Sequence, residues 1–283
     1  MIAALAAAPA AQAALPIDLE LPLDLNPGLL GPPLRAFGIT ADNELVRFST
    51  ALPRLEQHIG YISGLVHDTN VVGIDFRVQN GLLYGVGNRG GIYTLDTRHA
   101  HATLVDRLDI ALQGRSFGVD FNPAANALRV VSDTGQNLRH PFAGAAQFVT
   151  QNDGFLRYPP APDAAPVAAT GIGAAAYTNN DLDAATATTL FDIDIALDQV
   201  VAQSPANSGN LAATGQLGVA ADSLSGFDIY SRLKGGVTVE NRGFAALRVN
   251  DAYRFYQIDL LTGKATFAGS FDVPVFDIAI QLK

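Results

Sequence analysis

A short phrase returns along this chain: "VGIDFRV" around Asp75, "FGVDFNP" around Asp120, "SGFDIYS" around Asp228 and "VFDIAIQ" around Asp277. Repetition at intervals near fifty residues marks a fold built from copies of one supersecondary unit. The unit is readable between Val71 and Leu108, where Gly and Asn separate four short runs, "GIDFRV", "LLYGVG", "GIYTLD" and "ATLVDRL". Each run is rich in β-branched and aromatic residues and has the length of a strand. Further copies begin at Gly118, Gly171 and Gly226, at spacings of 45, 53 and 55 residues. Four strands per unit at this period predict the blades of a β-propeller.

The two ends of the body set the number of blades. Before the first full copy stand only three runs, "LRAFGITA", "ELVRFST" and "EQHIGYISG", and after the last stands one, "VFDIAIQLK", which carries the recurring phrase. Joined, they make one composite blade, which closes the ring and removes an exposed sheet edge. The expectation is an all-β, five-bladed propeller of four-stranded blades, with Phe276 to Lys283 as the closing strand. Six blades is the alternative, if the stretch after Gln151 hides strands. Within the phrase, Val119 and Phe121 point to one face of the innermost strand and pack between blades, while Gly118 and Asp120 point to the other.

Three regions are expected. Residues 1–13 read as a signal-peptide remnant, an alanine-rich apolar stretch ending in the small-x-small pattern "AQA". Residues 14–33 form an extended arm. In it Ile17, Leu19, Leu21, Leu23 and Leu25 alternate with Asp18, Glu20, Pro22 and Asp24, giving one apolar and one acidic face. Such an arm lies along its own body or mediates self-association. Residues 34–283 are the propeller. Export to the periplasm or the extracellular space follows from the cleavage-site pattern.

Charge narrows the partners. A net charge of −9 and no basic stripe argue against nucleic acid. No run reaches the roughly 18 apolar residues of a membrane span. The absence of cysteine excludes disulfides and thiolate chemistry.

The phrases "RVVSDTGQNLR", "AAAYTNND…ATATTLFDID" and "IDLLTGKATFAGSF" resemble the bacterial family known as domain of unknown function 4394. The resemblance runs from about Gly73 to the end. It implies a propeller and frequent secretion, and it carries over no activity.

Two groups of residues are candidates for function. Loops between second and third strands place Asn88, Arg89, Asp133, Gln136, Asn137, Asn250 and Asp251 on one face, where a polar ligand could be held. Interblade loops add Asp68, Arg115, Asp153 and Asp222 there. Tight turns also favour these residue types. The second group is Asp75, Asp120, Asp228 and Asp277, at equivalent places on four innermost strands, with Ala176 in the fourth blade. Lining a channel together, they would repel one another unless a cation intervened, and calcium suits an all-oxygen ring. The competing expectation is that each bonds backbone amides of its own or the next blade. His99 and His101 fall in a turn without a third ligand. No nucleophile motif and no phosphate loop is found. The expected function is an exported, non-enzymatic binding or scaffold propeller. The alternative is a glycosidase-like or lactonase-like hydrolase using the channel aspartates.

Overall fold

The computed structural model describes residues 31–160, 165–222 and 224–282. The stretch 1–13 and the apolar part of the arm lie outside the described residues. Five four-stranded antiparallel sheets form the five blades of a propeller. Blade 1 takes its innermost strand, Val275–Ile280, from the C-terminal end and adds Arg35–Thr40, Glu44–Ser49 and Leu52–Tyr61. Blade 2 runs outward through Val71–Arg77, Leu82–Gly87, Gly91–Leu95 and Ala102–Arg107. Blade 3 holds Phe117–Asn122, Ala127–Ser132, Asn137–Pro141 and Gln151–Asn152. Blade 4 holds Ile172–Tyr177, Leu190–Asp194, Gln199–Gln203 and Leu211–Gln216. Blade 5 holds Ser225–Lys234, Val237–Val249, Ala252–Ile258 and Ala265–Ser270.

The composite blade is therefore real. Phe37 pairs with Ala279 and Gly38 with Ile278 across its seam. The six-bladed alternative fails because, among the described residues, the stretch after Gln151–Asn152 contributes a two-stranded hairpin, Arg157–Tyr158 with Val167–Ala168, and no further blade. One strand differs from expectation. "AQFVTQ" is mostly turn, since Phe148 sits at φ 60°, and the outer strand of blade 3 shrinks to Gln151–Asn152.

The core is divided among the junctions, with one hydrophobic cluster between each pair of neighbouring blades. Edge-to-face rings fill several of these, such as Phe48 against Phe255 and Tyr84 against Phe121, at 5.4 and 5.0 Å. Each such pair adds about 0.5–1.5 kcal/mol beyond the area it buries.

The glycine of the recurring phrase has a steric cause. A Cβ on Gly226 would lie 2.3 Å from Asp277 Cα, and one on Gly118 would lie 2.5 Å from the backbone nitrogen of Ala175. Innermost strands approach so closely that only hydrogen fits between them.

Candidate functional site

Two residues beyond the glycine, the phrase aspartate points the same way and reaches the next blade. The Phe121 amide of blade 3 donates to Asp75 Oδ2 at 2.8 Å, and the Tyr177 amide of blade 4 donates to Asp120 Oδ1 at 3.1 Å. The Ile280 amide of blade 1 donates to Asp228, and the Ile74 amide of blade 2 donates to Asp277 Oδ2 at 2.7 Å. Blade 4 has Ala176 at this place, and the junction to blade 5 is closed differently. There Asn180 Nδ2 donates to the Ile229 carbonyl at 2.8 Å. A side-chain latch thus crosses each of the five junctions.

The same aspartates converge. Oxygens of Asp75, Asp120 and Asp228 lie within 4.8 Å of one another, and all three side chains are buried. Burial pushes Asp75, Asp120 and Asp277 well above the usual carboxylate range, and neighbouring carboxylates push further, against the pull of the amides. Burial raises Asp228 to about 6, with the amides of Ile280 and Ile229 opposing. The arrangement can share protons. A calcium ion takes six to eight oxygens from carboxylates, carbonyls and water, so these three carboxylates would supply part of such a set.

The phrases that carry the family resemblance are also spent on internal bonds. Arg129, 1% exposed, donates to Tyr177 Oη, Asn137 Oδ1, Asp153 Oδ2 and Asn207 Oδ1 at 2.6–3.2 Å. Arg139 closes on both oxygens of Asp153. Reading along the sequence did not find this knot between blades 3 and 4, because its members lie up to 78 residues apart. Asp192 lies at the same junction. It is fully buried, neither of its oxygens has a hydrogen-bond partner among the described residues, and burial holds it well above the ordinary range. In "TNND", Asn179, Asn180 and Asp181 clasp Asn241, Ser231 and Thr238 of blade 5.

The rim candidates separate. Gln136 bonds the Gln113 amide and the Ala111 carbonyl, and so fixes the loop that carries Arg115. Asn137 is committed to the knot. Asn88 bonds Thr69 through both side-chain atoms. The Arg89 amide donates to Asp68, and its side chain is exposed. Asn250 and Asp251 form an exposed turn at φ 51° and 61°, which Asn and Asp tolerate, and Asp251 pairs with Arg248. His99 pairs with Asp96 and His101 with Ser63, so they share no ligand position.

A cleft on this rim gathers charged groups. It opens on the face where the innermost strands begin, has a volume of about 650 Å³, and is lined by Arg115, Asp133, Thr170, Ala196 and Asp222. It adjoins a smaller cavity of about 140 Å³ at the axial mouth, with which it shares Arg115, Ser116 and Leu224. The Arg115 amide donates to Asp133 Oδ1 at 2.9 Å. Its exposed guanidinium makes no hydrogen bond or ion pair among the described residues. Asp222 is paired with Arg248.

The profile of a family described as Domain of unknown function (DUF4394) matches residues 44–279. No curated protein matches the chain. Among solved structures, a protein from Lactobacillus plantarum is 13% identical, aligns over 89% of this chain and 100% of its own, and has a TM-score of 0.42. A glutaminyl cyclase from Myxococcus xanthus is 15% identical over 77% of this chain and 74% of its own, with a TM-score of 0.38. An auxiliary nutrient binding protein from Bacteroides ovatus is 11% identical over 76% and 56%, with a TM-score of 0.40. Likenesses this distant carry no argument about activity.

Proposed function

The chain belongs to the DUF4394 family, and for this member we propose an exported, non-enzymatic binding propeller that holds a small polar, carboxylate-bearing ligand in the cleft of Arg115, Asp133 and Asp222. One observation carries the reading. The carboxylates best placed for chemistry on the axis are buried and bonded to neighbouring blades, while the open cleft presents an arginine with free donors. A guanidinium offers a planar fork of donors that matches a carboxylate. Gln136 and Asp133 fix the backbone on which it stands, so the loop is pre-organised for binding. Asn250 and Asp251 approach this rim through Arg248, the partner of Asp222.

The hydrolase alternative requires that a substrate reach the axial aspartates, whose side chains are 3–6% exposed. Export rests on the "AQA" pattern at Ala11 to Ala13. No helix among the described residues is long and apolar enough to cross a membrane.

The test is a melting-temperature screen against sugar acids, amino acids and short peptides. A ligand present at a hundred times its Kd stabilises by about 2.7 kcal/mol. At least one carboxylate should raise the melting temperature of the unaltered protein, and Arg115→Ala should cancel that rise while leaving the ligand-free melting point within about a degree. Turnover of chromogenic glycosides or lactones, lost in Asp120→Asn, would establish the hydrolase instead.

A further inference from the structure

A second groove, larger than the cleft, lies on the opposite face of the ring, between blades 4 and 5. Its volume is about 770 Å³. One wall is the long hairpin of blade 5, Ser225–Lys234 with Val237–Val249, which outreaches the strands of the other blades. The clasp of Asn179, Asn180 and Asp181 onto Asn241, Ser231 and Thr238 holds that wall to blade 4. Phe191, Ile258 and Leu260 line the groove, and Arg242 and Lys264 stand among its polar lining.

Gly31, the first described residue, is itself part of the lining. It has φ 62°, and a Cβ there would lie 2.3 Å from Nη1 of Arg242. Arg242 in turn lies over the rings of Tyr230 and Phe244. The backbone thus passes directly against the hairpin wall, and only a glycine fits at this approach. Thirty residues precede it, and they contain the alternating segment from Ile17 to Leu25.

Apolar side chains stand at the edge of the groove and on its hairpin wall. Leu261 at its edge is 80% exposed, and the hairpin also exposes Leu233, Val237 and Val239. Exposed apolar side chains beside a groove suit a contact with another apolar surface. Gly31 lies six positions beyond Leu25, a span of at most about 20 Å when extended, which is enough chain to bring the leucine face to the groove. With Ile17, Leu19, Leu21, Leu23 and Leu25 facing inward, Asp18, Glu20 and Asp24 face out. Arg242 and Lys264 line the groove together with Glu240 and Asp259, so its charge is mixed, and Arg232 and Lys234 stand on the hairpin, Arg232 paired with Glu240.

We propose that residues 17–25 dock, apolar side inward, in the groove between blades 4 and 5 of their own chain. The arm would then brace the hairpin that the clasp holds in place.

The chain contains no cysteine, so two thiols can be introduced on a clean background. In the full chain, Leu21→Cys is combined with Leu261→Cys, or with Leu55→Cys on blade 1 as a control; both partners are exposed leucines. Under mild oxidation the pair at 21 and 261 should cross-link at least tenfold faster than the control, and the product should have the mass of one chain. Adding Leu19→Asp and Leu23→Asp should abolish that preference and open the segment to protease, with the propeller's melting point unchanged. Equal rates for the two pairs, a product with the mass of two chains, or protease cutting the arm equally fast with and without the aspartates would each overturn the proposal.

Discussion

A chain ending at Pro274 should lose its cooperative thermal transition. The deleted strand, Val275–Ile280, is the innermost strand of blade 1 and the seam of the ring. Val275, Ile278 and Ile280 are at most 2% exposed, and burying each such side chain is worth about 1.5–3 kcal/mol. Their sum rivals the 5–15 kcal/mol by which a whole domain is stable. Two latches also disappear, Asp277 onto the Ile74 amide and Asp228 onto the Ile280 amide. The open ring leaves the edge of Arg35–Thr40 unpaired, which invites association between chains. Differential scanning calorimetry should show no single sharp transition for the truncated chain. A peak within a few degrees of the intact protein would contradict the closure.

The largest pH effect comes from the axis. A carboxyl whose folded pKa lies above its unfolded value gives stability that is complete below the unfolded value, 3.8, and is lost as pH rises through the folded one. Asp228, raised to about 6, alone makes folding about 3 kcal/mol less favourable at pH 8 than at pH 3. Asp75, Asp120 and Asp277 act in the same direction. His140 opposes them. Burial lowers its pKa, so its neutral form favours folding as pH rises toward 6.5. Comparison with Asp120→Asn cancels this term, since both proteins contain His140. The asparagine keeps an acceptor for the Tyr177 amide and cannot ionise. It should melt above the unaltered protein at pH 8, and the two should converge near pH 4. A variant that melts lower at pH 8 would show that the negative charge of Asp120 stabilises the ring.

What could be read along the sequence was whatever the fold imposes locally. The tight approach of innermost strands demands glycine, and the latch demands a short acceptor two residues on, so Gly118–Asp120 and Gly226–Asp228 repeat visibly. The composite blade was legible because only three runs precede the first full copy and one follows the last. The turn at Asn250 and Asp251 was legible for the same reason, as positive φ selects those residues. The knot at Arg129 was not, because its partners at 153, 177 and 207 are brought together only by the packing of blades 3 and 4. Nor was the division of the rim. Gln136 and Asn137 follow Asp133 by three and four residues, and only the tertiary fold shows that they turn inward while Asp133 lines a cleft. The substitute latch at Asn180 was hidden too, since nothing local links it to the missing aspartate at Ala176.

The central proposal is that the axial aspartates serve as latches between blades and share protons, in place of ligating metal or acting as catalytic acids. The most direct measurement is a carbon-13 NMR titration of the side-chain carboxyl of Asp228, assigned with Asp228→Asn, in metal-free buffer and again with millimolar calcium. The latch account predicts a midpoint of about 6 in both buffers. A midpoint near the ordinary 3.9 in metal-free buffer, or one that calcium drives sharply downward, would contradict it.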